Sequence, residues 1–296
     1  MSLSSPVIVL AAFGASDPTA LKALFNIQNR VAAAWPGAET YLTFTSRVLR
    51  NIWRRRAGQA SFRSENPGLP ETVYEVRSPL ALLAEIQEIA PRPIVVQSLH
   101  VSEGEEYTDL QNLVQALAGI ETLRPDQRPF PGLALGPPAL GDGGSGFLQA
   151  AALALEPLLE RARQSDAALV LMGHGSRRLD NAVYQDLEKR LRCDYPPTHV
   201  GLVERGPEDI LAALAGTQPV SLAPLLTVAG EHARKDLAGP DSWCTRFRSA
   251  GYEVEAHLEG LGSLDAWADL YVEHIRRGLA WLEETNRTTP RPEEER

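Results

Sequence analysis

Residues 169–178 read LVLMGHGSRR, an apolar run that ends at a histidine between two glycines. A short, uninterrupted apolar run of this kind is typical of a strand buried on both faces of a parallel sheet. The glycines that follow mark the turn in which the strand ends. The stretch therefore predicts a buried strand with His174 at its carboxyl end, where open α/β sheets bind their ligands.

Strand and helix patterns alternate on both sides of this stretch. Short apolar runs bounded by turn residues predict strands, and apolar residues at helical spacing predict the helices between them. Such alternation is typical of parallel sheets with helices on both faces. The predicted strands lie within residues 6–13, 41–46, 93–101, 167–177, 198–206, 219–230 and 252–262. The predicted helices include one that is capped by Asp17 and reaches Trp35, and others at residues 80–90, 179–192 and 264–283.

The alternation is interrupted around residues 128–146, where prolines and glycines are frequent. We therefore expect an N-terminal α/β half at residues 1–137 and a C-terminal α/β half at residues 138–284, with a last helix that can pack on the N-terminal half. Residues 285–296 contain almost no apolar side chains and are expected to be disordered. The polar segment 54–71 is predicted to be a surface loop.

The composition excludes several classes of protein. The formal net charge is -9 and the isoelectric point is about 5.3, so the chain lacks the positive field that binds nucleic acid or an anionic membrane. Its two cysteines have no CxxC spacing, which argues against a thiolate metal site and a disulfide framework. The apolar start lacks the features of a signal peptide, and no run approaches the roughly 18 apolar residues of a membrane span. We expect a cytoplasmic protein.

The two halves resemble copies of one unit. VIVLAAFGAS in the first half corresponds to ALVLMGHGSR in the second, and LHVSEGEEYTDL corresponds to LLTVAGEHARKDL. When Gly104 is aligned with Gly230, Glu106 falls opposite His232. Two such halves, related by a pseudo-twofold axis, would place equivalent strand ends across one cleft. We therefore expect His174, Glu106 and His232 to face the same cleft.

A fourth side chain extends this set. Glu204, in GLVERG, follows a predicted strand at the same rim as His174 and His232. Imidazole and carboxylate groups together suit Co²⁺, Fe²⁺, Ni²⁺ or Zn²⁺, and the lack of a nearby cysteine argues against a closed structural zinc site. Such an incomplete ligand set leaves coordination positions open. Because each side chain comes from a separate loop, spacing alone does not test this set.

Five segments carry a family resemblance: LMGHGSR, VGLVERGPEDIL, QSLHVSEGEEY, FTSRVLR and APLLTVAGEHARKDLAGPDSW. The most specific part is the block from Leu225 to Trp243 in the last segment. The chain resembles the sirohydrochlorin cobaltochelatases of the CbiK family, among the class II tetrapyrrole chelatases, from about Val7 to the last helix. This resemblance implies a chelatase-like α/β fold of two Rossmann-like halves, each a parallel sheet flanked by helices, with the active-site cleft between them. It also implies insertion of Co²⁺, and in some members Fe²⁺, into the tetrapyrrole sirohydrochlorin without ATP.

The resemblance also implies roles for the four side chains. His174 and His232 match the two metal-site histidines of the family, and Glu106 and Glu204 match its carboxylates. Metal insertion removes pyrrole N–H protons while the ion exchanges its ligands for ring nitrogens, so a base and a weak metal ligand must face the ring. A histidine with an ordinary pKa of about 6.5 suits either role. We expect catalysis by His174, Glu106 and His232, and metal binding by His174, Glu204 and His232.

The substrate implied by the resemblance carries eight carboxylates, and guanidinium groups bind carboxylates bidentately. The candidate substrate ligands are the arginines beside predicted strand ends, Arg47, Arg177, Arg178 and Arg205. We expect no nucleotide cofactor and no nucleic-acid or membrane partner, and the sequence allows a homo-oligomer.

Other functions stay open at this point. A sirohydrochlorin ferrochelatase of sirohaem or haem biosynthesis would use the same donors, since imidazole and carboxylate accept both metals. A non-catalytic carrier of metal or tetrapyrrole would use the same pocket without turnover. A serine hydrolase would need a G-x-S-x-G elbow, which is absent from the sequence. A nucleotide-binding protein is not indicated, because Gly14 and Gly175 lie outside any G-x-G-x-x-G or Walker A pattern.

The remaining histidines and one glutamate have less definite roles. His100 lies within a predicted buried strand, where a core role and a binding role are equally supported. His199, His257 and His274 are expected on the surface or in the core. Glu105 and Glu106 are expected to point to opposite faces of a strand. Because the sequence does not determine the register of that strand, either glutamate can be the one that faces the cleft.

Overall fold

The computed structural model describes residues 6–89, 92–124, 127–176, 178–214, 216 and 218–288. Its elements form two α/β halves. The N-terminal half contains β1 (Val7–Ala12), α1 (Leu21–Ala34), β2 (Glu39–Phe44), α2 (Arg47–Ala57), α3 (Ala60–Glu65), α4 (Glu71–Tyr74), α5 (Pro79–Ile89), β3 (Ile94–Ser98), α6 (Glu105–Ala118) and β4 (Leu133–Gly136). The C-terminal half contains α7 (Ser145–Ala154), α8 (Glu156–Gln164), β5 (Ala168–Gly173), α9 (Ala182–Asp194), β6 (Thr198–Leu202), α10 (Glu208–Ala213), β7 (Val220–Leu225), α11 (Glu231–Ala238), α12 (Trp243–Ser249), β8 (Val254–Ala256) and α13 (Asp265–Thr288).

Each half contains a four-stranded sheet, and the two sheets have the same strand order. The order is β2-β1-β3-β4 in the N-terminal sheet and β6-β5-β7-β8 in the C-terminal sheet. Neighbouring strands are parallel throughout both sheets. The prediction of two parallel sheets flanked by helices is confirmed. Because parallel strands share one carboxyl edge, each half presents its β–α loops together at that edge.

The central strands and the last helix form the core. Every residue of β1 and β5 is buried, as their uninterrupted apolar sequences predict. The last helix, α13, packs on α1, β3 and β4 of the N-terminal half. Its Trp267, Tyr271 and Ile275 side chains are fully buried, and burial of side chains of this size contributes about 2 kcal/mol each. The chain therefore returns to the N-terminal core after completing the C-terminal sheet.

The prediction of a surface loop at residues 54–71 is wrong, because the segment is largely helical. It contains the end of α2, all of α3 and the start of α4. Trp53 is fully buried and makes edge-on ring contacts with Phe62 and Tyr74. The Arg56 guanidinium lies over the rings of Trp53 and Phe62, at 4.9 and 4.4 Å from their centroids. Despite its many arginines, the segment therefore forms a helical unit that packs around Trp53.

Several element boundaries also differ from the sequence-based expectation. The helix expected to begin at Asp17 begins at Leu21, because the Asp17 carboxylate accepts the Thr19 N–H and closes a separate turn. β3 ends at Ser98, so His100 lies after the strand and not within it. The last helix continues to Thr288, inside the segment expected to be disordered. The rest of that segment, 289–296, lies outside the described residues.

Within the described part of the chain, every helix is too short or too polar to cross a bilayer.

Candidate active site

The loop after β5 places His174 at the carboxyl edge of the C-terminal sheet, and the two flanking glycines are required by its geometry. Gly175 has a φ of +75°, in the left-handed region that favours glycine. A Cβ atom at Gly173 would lie 2.9 Å from Cε1 of Tyr184. The backbone conformation of the turn that contains His174 therefore depends on the glycines on both sides of it.

The His174 side chain is exposed. Its Nδ1 lies 3.0 Å from the Gly175 carbonyl oxygen. In the neutral tautomer that donates Nδ1–H to this carbonyl, the lone pair is on Nε2. A backbone carbonyl that orients a histidine in this way is typical of imidazoles that bind a metal or accept a proton through Nε2.

The His174 loop is held by side chains further along the chain. The Asn181 carboxamide accepts the Ser176 N–H at 2.8 Å and donates to the Ser176 carbonyl at 2.7 Å. The Ser176 hydroxyl accepts the backbone N–H groups of Arg178 and Leu179 at 3.2 and 3.0 Å. These bonds fix the loop without contacting the His174 ring.

Tyr184 connects this loop to the N-terminal half. Its hydroxyl is hydrogen-bonded to the backbone of Gly175 and lies 3.0 Å from the Ser102 hydroxyl. Ser102 belongs to the loop between β3 and α6, which also leads to Glu106. Burial raises the pKa of the Tyr184 hydroxyl, so it stays protonated at neutral pH. The segments that bear His174 and Glu106 therefore meet through one buried phenol.

Glu106 lies in the first turn of α6 and points towards the neighbouring β2–α2 loop. Its side chain is half-buried, and its Oε2 accepts the Thr45 hydroxyl at 2.9 Å. Glu105 is exposed, and its carboxylate lies 3.8 Å from Nε of Arg178 in the C-terminal half. The two glutamates are on a helix and not on a strand, so the argument from strand alternation is wrong. Their different surroundings favour Glu106 as the carboxylate of the site.

His232 occupies the position in the C-terminal half that Glu106 occupies in the N-terminal half. Each is the second residue of a helix, α11 or α6, that follows β7 or β3 and is capped by glycine, Gly230 or Gly104. β7 and β3 hold the same place in their sheets. The alignment of the two glycines in the sequence therefore corresponds to an equivalence in the fold. The His232 side chain is exposed.

Glu204 lies in a short 3-10 turn, Val203–Arg205, directly after β6, and its side chain is exposed. It is at the carboxyl end of the strand beside β5, as expected. Among the described residues, however, no three His, Cys, Asp or Glu side chains are close enough to hold a metal ion together. His174, Glu204 and His232 share an edge of the sheet without forming a ligand cluster, and their metal role stays a prediction.

Three of the four candidate arginines follow strands, at the carboxyl edges of the two sheets. Arg47 is the first residue of α2, directly after β2, and is exposed. Arg178 is 85% exposed. Arg205 is exposed and lines a cavity of about 240 Å³ together with Asn181 and Tyr184, which hold the His174 loop. Arg177 lies outside the described residues.

Sequence reasoning missed three apolar side chains at this edge. Phe13 directly follows β1, Val48 lies in the first turn of α2 after β2, and Leu179 is in the loop after β5. Their exposed fractions are 47%, 67% and 39%. Phe13 aligns with His174 in the internal repeat, and this alignment could have identified it. Together they offer apolar surface at the loops that carry the polar candidates.

A G-x-G-x-x-G pattern does occur in the chain, away from Gly14 and Gly175. GDGGSG at residues 141–146 has the spacing G-x-G-x-x-G and leads into α7. Its Gly144 N–H, however, donates to the Asp142 carboxylate at 2.8 Å. Glu103 is close enough for Asp142 to raise the pKa of its carboxyl, after the larger effect of burial. A phosphate at these amides would meet two carboxylates, which argues against a dinucleotide site here.

The other four histidines are more buried than His174 and His232. Burial lowers the pKa of His100 and of His274 to about 4, and it also lowers the pKa of His199 and His257. His100 Nδ1 is bonded to the Ser98 hydroxyl at 2.9 Å. These four rings are therefore neutral at pH 7. Their burial favours a structural role in the core over a role in binding.

Comparison with known proteins relates the chain to one protein family and to solved structures of the same fold. A family model described as cobalt chelatase (CbiK) matches residues 6–280. Sirohydrochlorin cobaltochelatase CbiKC of Nitratidesulfovibrio vulgaris is 31% identical over 283 residues, which cover 94% of this chain and 92% of that protein. Sirohydrochlorin cobaltochelatase of Salmonella typhimurium is 30% identical over 279 residues, which cover 92% and 96%. The structure of the sirohydrochlorin chelatase SirB from Bacillus subtilis subspecies spizizenii, in complex with cobalt, matches in fold with a TM-score of 0.61 at 11% identity, covering 96% of this chain and 98% of SirB.

Proposed function

Because the chain belongs to the CbiK cobalt chelatase family, we propose that it inserts Co²⁺ into the tetrapyrrole sirohydrochlorin, without ATP, in cobalamin biosynthesis. The two curated relatives carry the name of this activity and align with the chain over nearly their whole length. Cobalt is a substrate of the proposed reaction, so its ligands must bind it and then release it.

The observation that carries the proposal is the exposure of two histidines. All six histidines lie in the described part of the chain, and among them His174 and His232 alone are exposed. His174 directly follows β5 and His232 lies in the first turn of the helix after β7, so both are on the carboxyl side of the C-terminal sheet, where parallel sheets bind ligands. An exposed imidazole can accept a metal or a proton from a substrate, whereas a buried ring cannot reach one.

We assign His174 and His232 to metal delivery and proton abstraction, and Glu204 to the metal. Borderline ligands of this kind suit Co²⁺ and also Fe²⁺. Because the donors stand on separate segments of the chain, each can be replaced by a ring nitrogen without displacing the others. Glu106, held by the Thr45 hydroxyl, supplies a negative charge that stabilises a cationic metal or imidazolium.

The edge of the two sheets also suits a flat, anionic macrocycle. Phe13, Val48 and Leu179 provide exposed apolar surface for the ring. Arg47 and Arg205 are exposed nearby and can pair with peripheral carboxylates. The chain as a whole has a net charge of -9, so attraction of a polyanion depends on these local cations. We therefore propose that the ring lies against the apolar side chains with its carboxylates towards the arginines.

Anaerobic absorption spectroscopy tests the function. Purified protein is mixed with excess sirohydrochlorin and titrated separately with Co²⁺ and Fe²⁺. The expected result is formation of many equivalents of cobalt-sirohydrochlorin per protein. Faster turnover with Fe²⁺ would support a ferrochelatase, and binding that stops at one equivalent would support a carrier and contradict the proposal.

Substitution of the two exposed histidines tests whether the activity depends on the proposed site. His174→Ala combined with His232→Ala is expected to abolish insertion while the fold, monitored by circular dichroism, is retained. His257→Gln is the matched control, because His257 is bonded to Ser221 and Arg161 and is not exposed. Wild-type turnover in the double variant would show that the histidine assignment is wrong.

A further inference from the structure

An ion pair joins the two halves beside His232. Nη1 of Arg234 donates to Oδ2 of Asp17 at 2.6 Å and to the Thr19 hydroxyl at 2.9 Å. Asp17 and Thr19 belong to the loop between β1 and α1, and Arg234 belongs to α11. The contact therefore connects the first β–α loop of the N-terminal half to the helix that begins with His232.

The N-terminal side of this contact is firmly anchored. Trp53 Nε1 donates to the Ala15 carbonyl at 2.8 Å, and Arg56 donates to the Ser16 carbonyl. Both donors belong to α2, and Trp53 is fully buried. Asp17 is further oriented by the Thr19 N–H at 2.9 Å. The loop thus presents the carboxylate from a rigid support.

On the C-terminal side, α11 packs on α12 and β7 of its own half but buries little side-chain surface there. α11 is eight residues long, and Leu237 is its one buried residue. Its N-terminal cap is Gly230, which provides no side-chain hydrogen bond. The Glu231–Lys235 pair on the same helix has both side chains more than 60% exposed, so it is screened by solvent. The position of the first turn of α11 therefore depends strongly on contacts outside the helix.

The Arg234–Asp17 pair is well suited to provide that contact. The two side chains are 29% and 24% exposed, so water screens their attraction less than that of the surface pairs. Nε of Arg234 is buried and has no hydrogen-bond partner. Loss of the Asp17 carboxylate would leave a half-buried guanidinium without its counter-charge, and the helix would move to solvate it.

We propose that Asp17 and Arg234 form a positioning pair that holds the first turn of α11, and with it His232, at a defined place relative to the N-terminal half. Neither side chain needs to touch substrate. This inference rests on the proposed function, because it concerns the geometry in which His232 meets the tetrapyrrole and the metal. A displacement of about 1 Å at such a site costs up to about 100-fold in rate.

A double-mutant cycle on the full chain tests the pair. Asp17→Asn and Arg234→Gln are each expected to lower kcat for cobalt insertion about tenfold, with KM for sirohydrochlorin changed less than about twofold. The double variant is expected to be no slower than either single variant, because both remove the same contact. Wild-type kcat in both single variants, or losses that multiply in the double variant, would overturn the proposal.

A different ion pair, between α1 and α13, provides the control. Arg30 binds Asp269 of α13 through two hydrogen bonds, of 2.9 and 2.5 Å, and neither residue lies on a segment that bears a candidate site residue. Asp269→Asn is expected to retain kcat even if it lowers the melting temperature as much as Asp17→Asn. Equal losses of kcat in the two variants would indicate a merely structural role.

Hydrogen exchange separates this inference from the proposed function. The amides of residues 231–238 are expected to exchange about tenfold faster in Asp17→Asn than in the wild type, whether or not the protein inserts cobalt. If the wild type fails to metallate sirohydrochlorin, the proposed function fails and exchange alone decides the pair. Unchanged exchange across α11 would contradict the positioning role.

Discussion

The hydroxyl groups of Tyr184 and Ser102 lie 3.0 Å apart and join the His174 loop to the loop that leads to Glu106. One residue is on α9 of the C-terminal half, and the other follows β3 of the N-terminal half. The bond therefore aligns two segments that contribute candidate catalytic side chains from opposite halves.

Replacement of Tyr184 with Phe should lower both stability and activity. The loss of the hydroxyl leaves Ser102 without this partner and should lower the free energy of unfolding by about 1 kcal/mol. Because the two loops lose this hydrogen bond between them, kcat should fall several-fold. Tyr195→Phe removes a comparable bond, to the Ala167 carbonyl at 2.7 Å within the C-terminal half, and should affect stability alone. Equal kcat in the two variants would argue against a role of the bond in alignment.

Glu106 and Glu105 should respond differently to neutralisation. Glu106→Gln keeps the shape of the side chain but removes the charge beside Thr45, and kcat should fall about 100-fold. Glu105→Gln breaks an ion pair whose arginine is 85% exposed, and kcat should stay within about twofold of the wild type. Steady-state kinetics of cobalt insertion measure both. A larger effect at Glu105 would reassign the carboxylate.

Gly175→Ala should destabilise the protein. Alanine at a φ of +75° is strained, and its Cβ would lie 3.0 Å from Cδ1 of Leu202, so the free energy of unfolding should fall by about 1–3 kcal/mol. Gly68→Ala is the control, since a Cβ there meets no atom within 4 Å and no positive φ is involved. Urea unfolding of both variants measures the difference, and equal stabilities would show that the turn tolerates alanine.

Arg47→Gln should raise KM for sirohydrochlorin several-fold with little change in kcat, because a substrate carboxylate loses its partner. The effect should shrink at high salt, where exposed charges are screened. Arg54→Gln, on the same helix and bonded to Asn51, is the control and should leave KM unchanged. An equal rise in KM for both variants would indicate a general effect of charge.

Stability should fall as the pH is lowered from about 6.5 to about 4. Burial holds the pKa of His100 and His274 at about 4 in the folded state, whereas the unfolded chain takes up these protons near pH 6.5. The unfolded state therefore binds more protons in this interval, and each ring can cost up to about 3 kcal/mol by its lower end. Above about pH 7.5 both rings are neutral in the folded and in the unfolded state, so they contribute no pH dependence there.

Urea unfolding at pH 7.5, 6, 5 and 4.5 measures this loss. His274→Leu should remove about half of the contribution of the two rings, because leucine cannot take up a proton in the unfolded chain. An identical pH dependence in the wild type and the variant would show that His274 is not responsible.

Much of this architecture could be predicted from local sequence patterns. β1 and β5 are uninterrupted apolar runs because they are covered on both faces, and their ends are marked by glycines that the turns require. The repeated glycine at 104 and 230 placed Glu106 opposite His232, because both halves use the same β–α turn. The segment 54–71 was mispredicted because its helices are stabilised by contacts of Trp53, Phe62 and Tyr74 and not by a long apolar stripe.

The sequence by itself determined the two parallel sheets, the strand ends and the residue types that stand there, since these follow from burial and turn geometry over a few neighbouring residues. Tertiary structure decided which side chains hold those ends together. Tyr184 meets Ser102 across 82 residues of chain, and Arg234 meets Asp17 across 217. No local periodicity encodes such contacts, because they exist only once the two halves are packed and the cost of ordering each polar pair is offset by the burial around it.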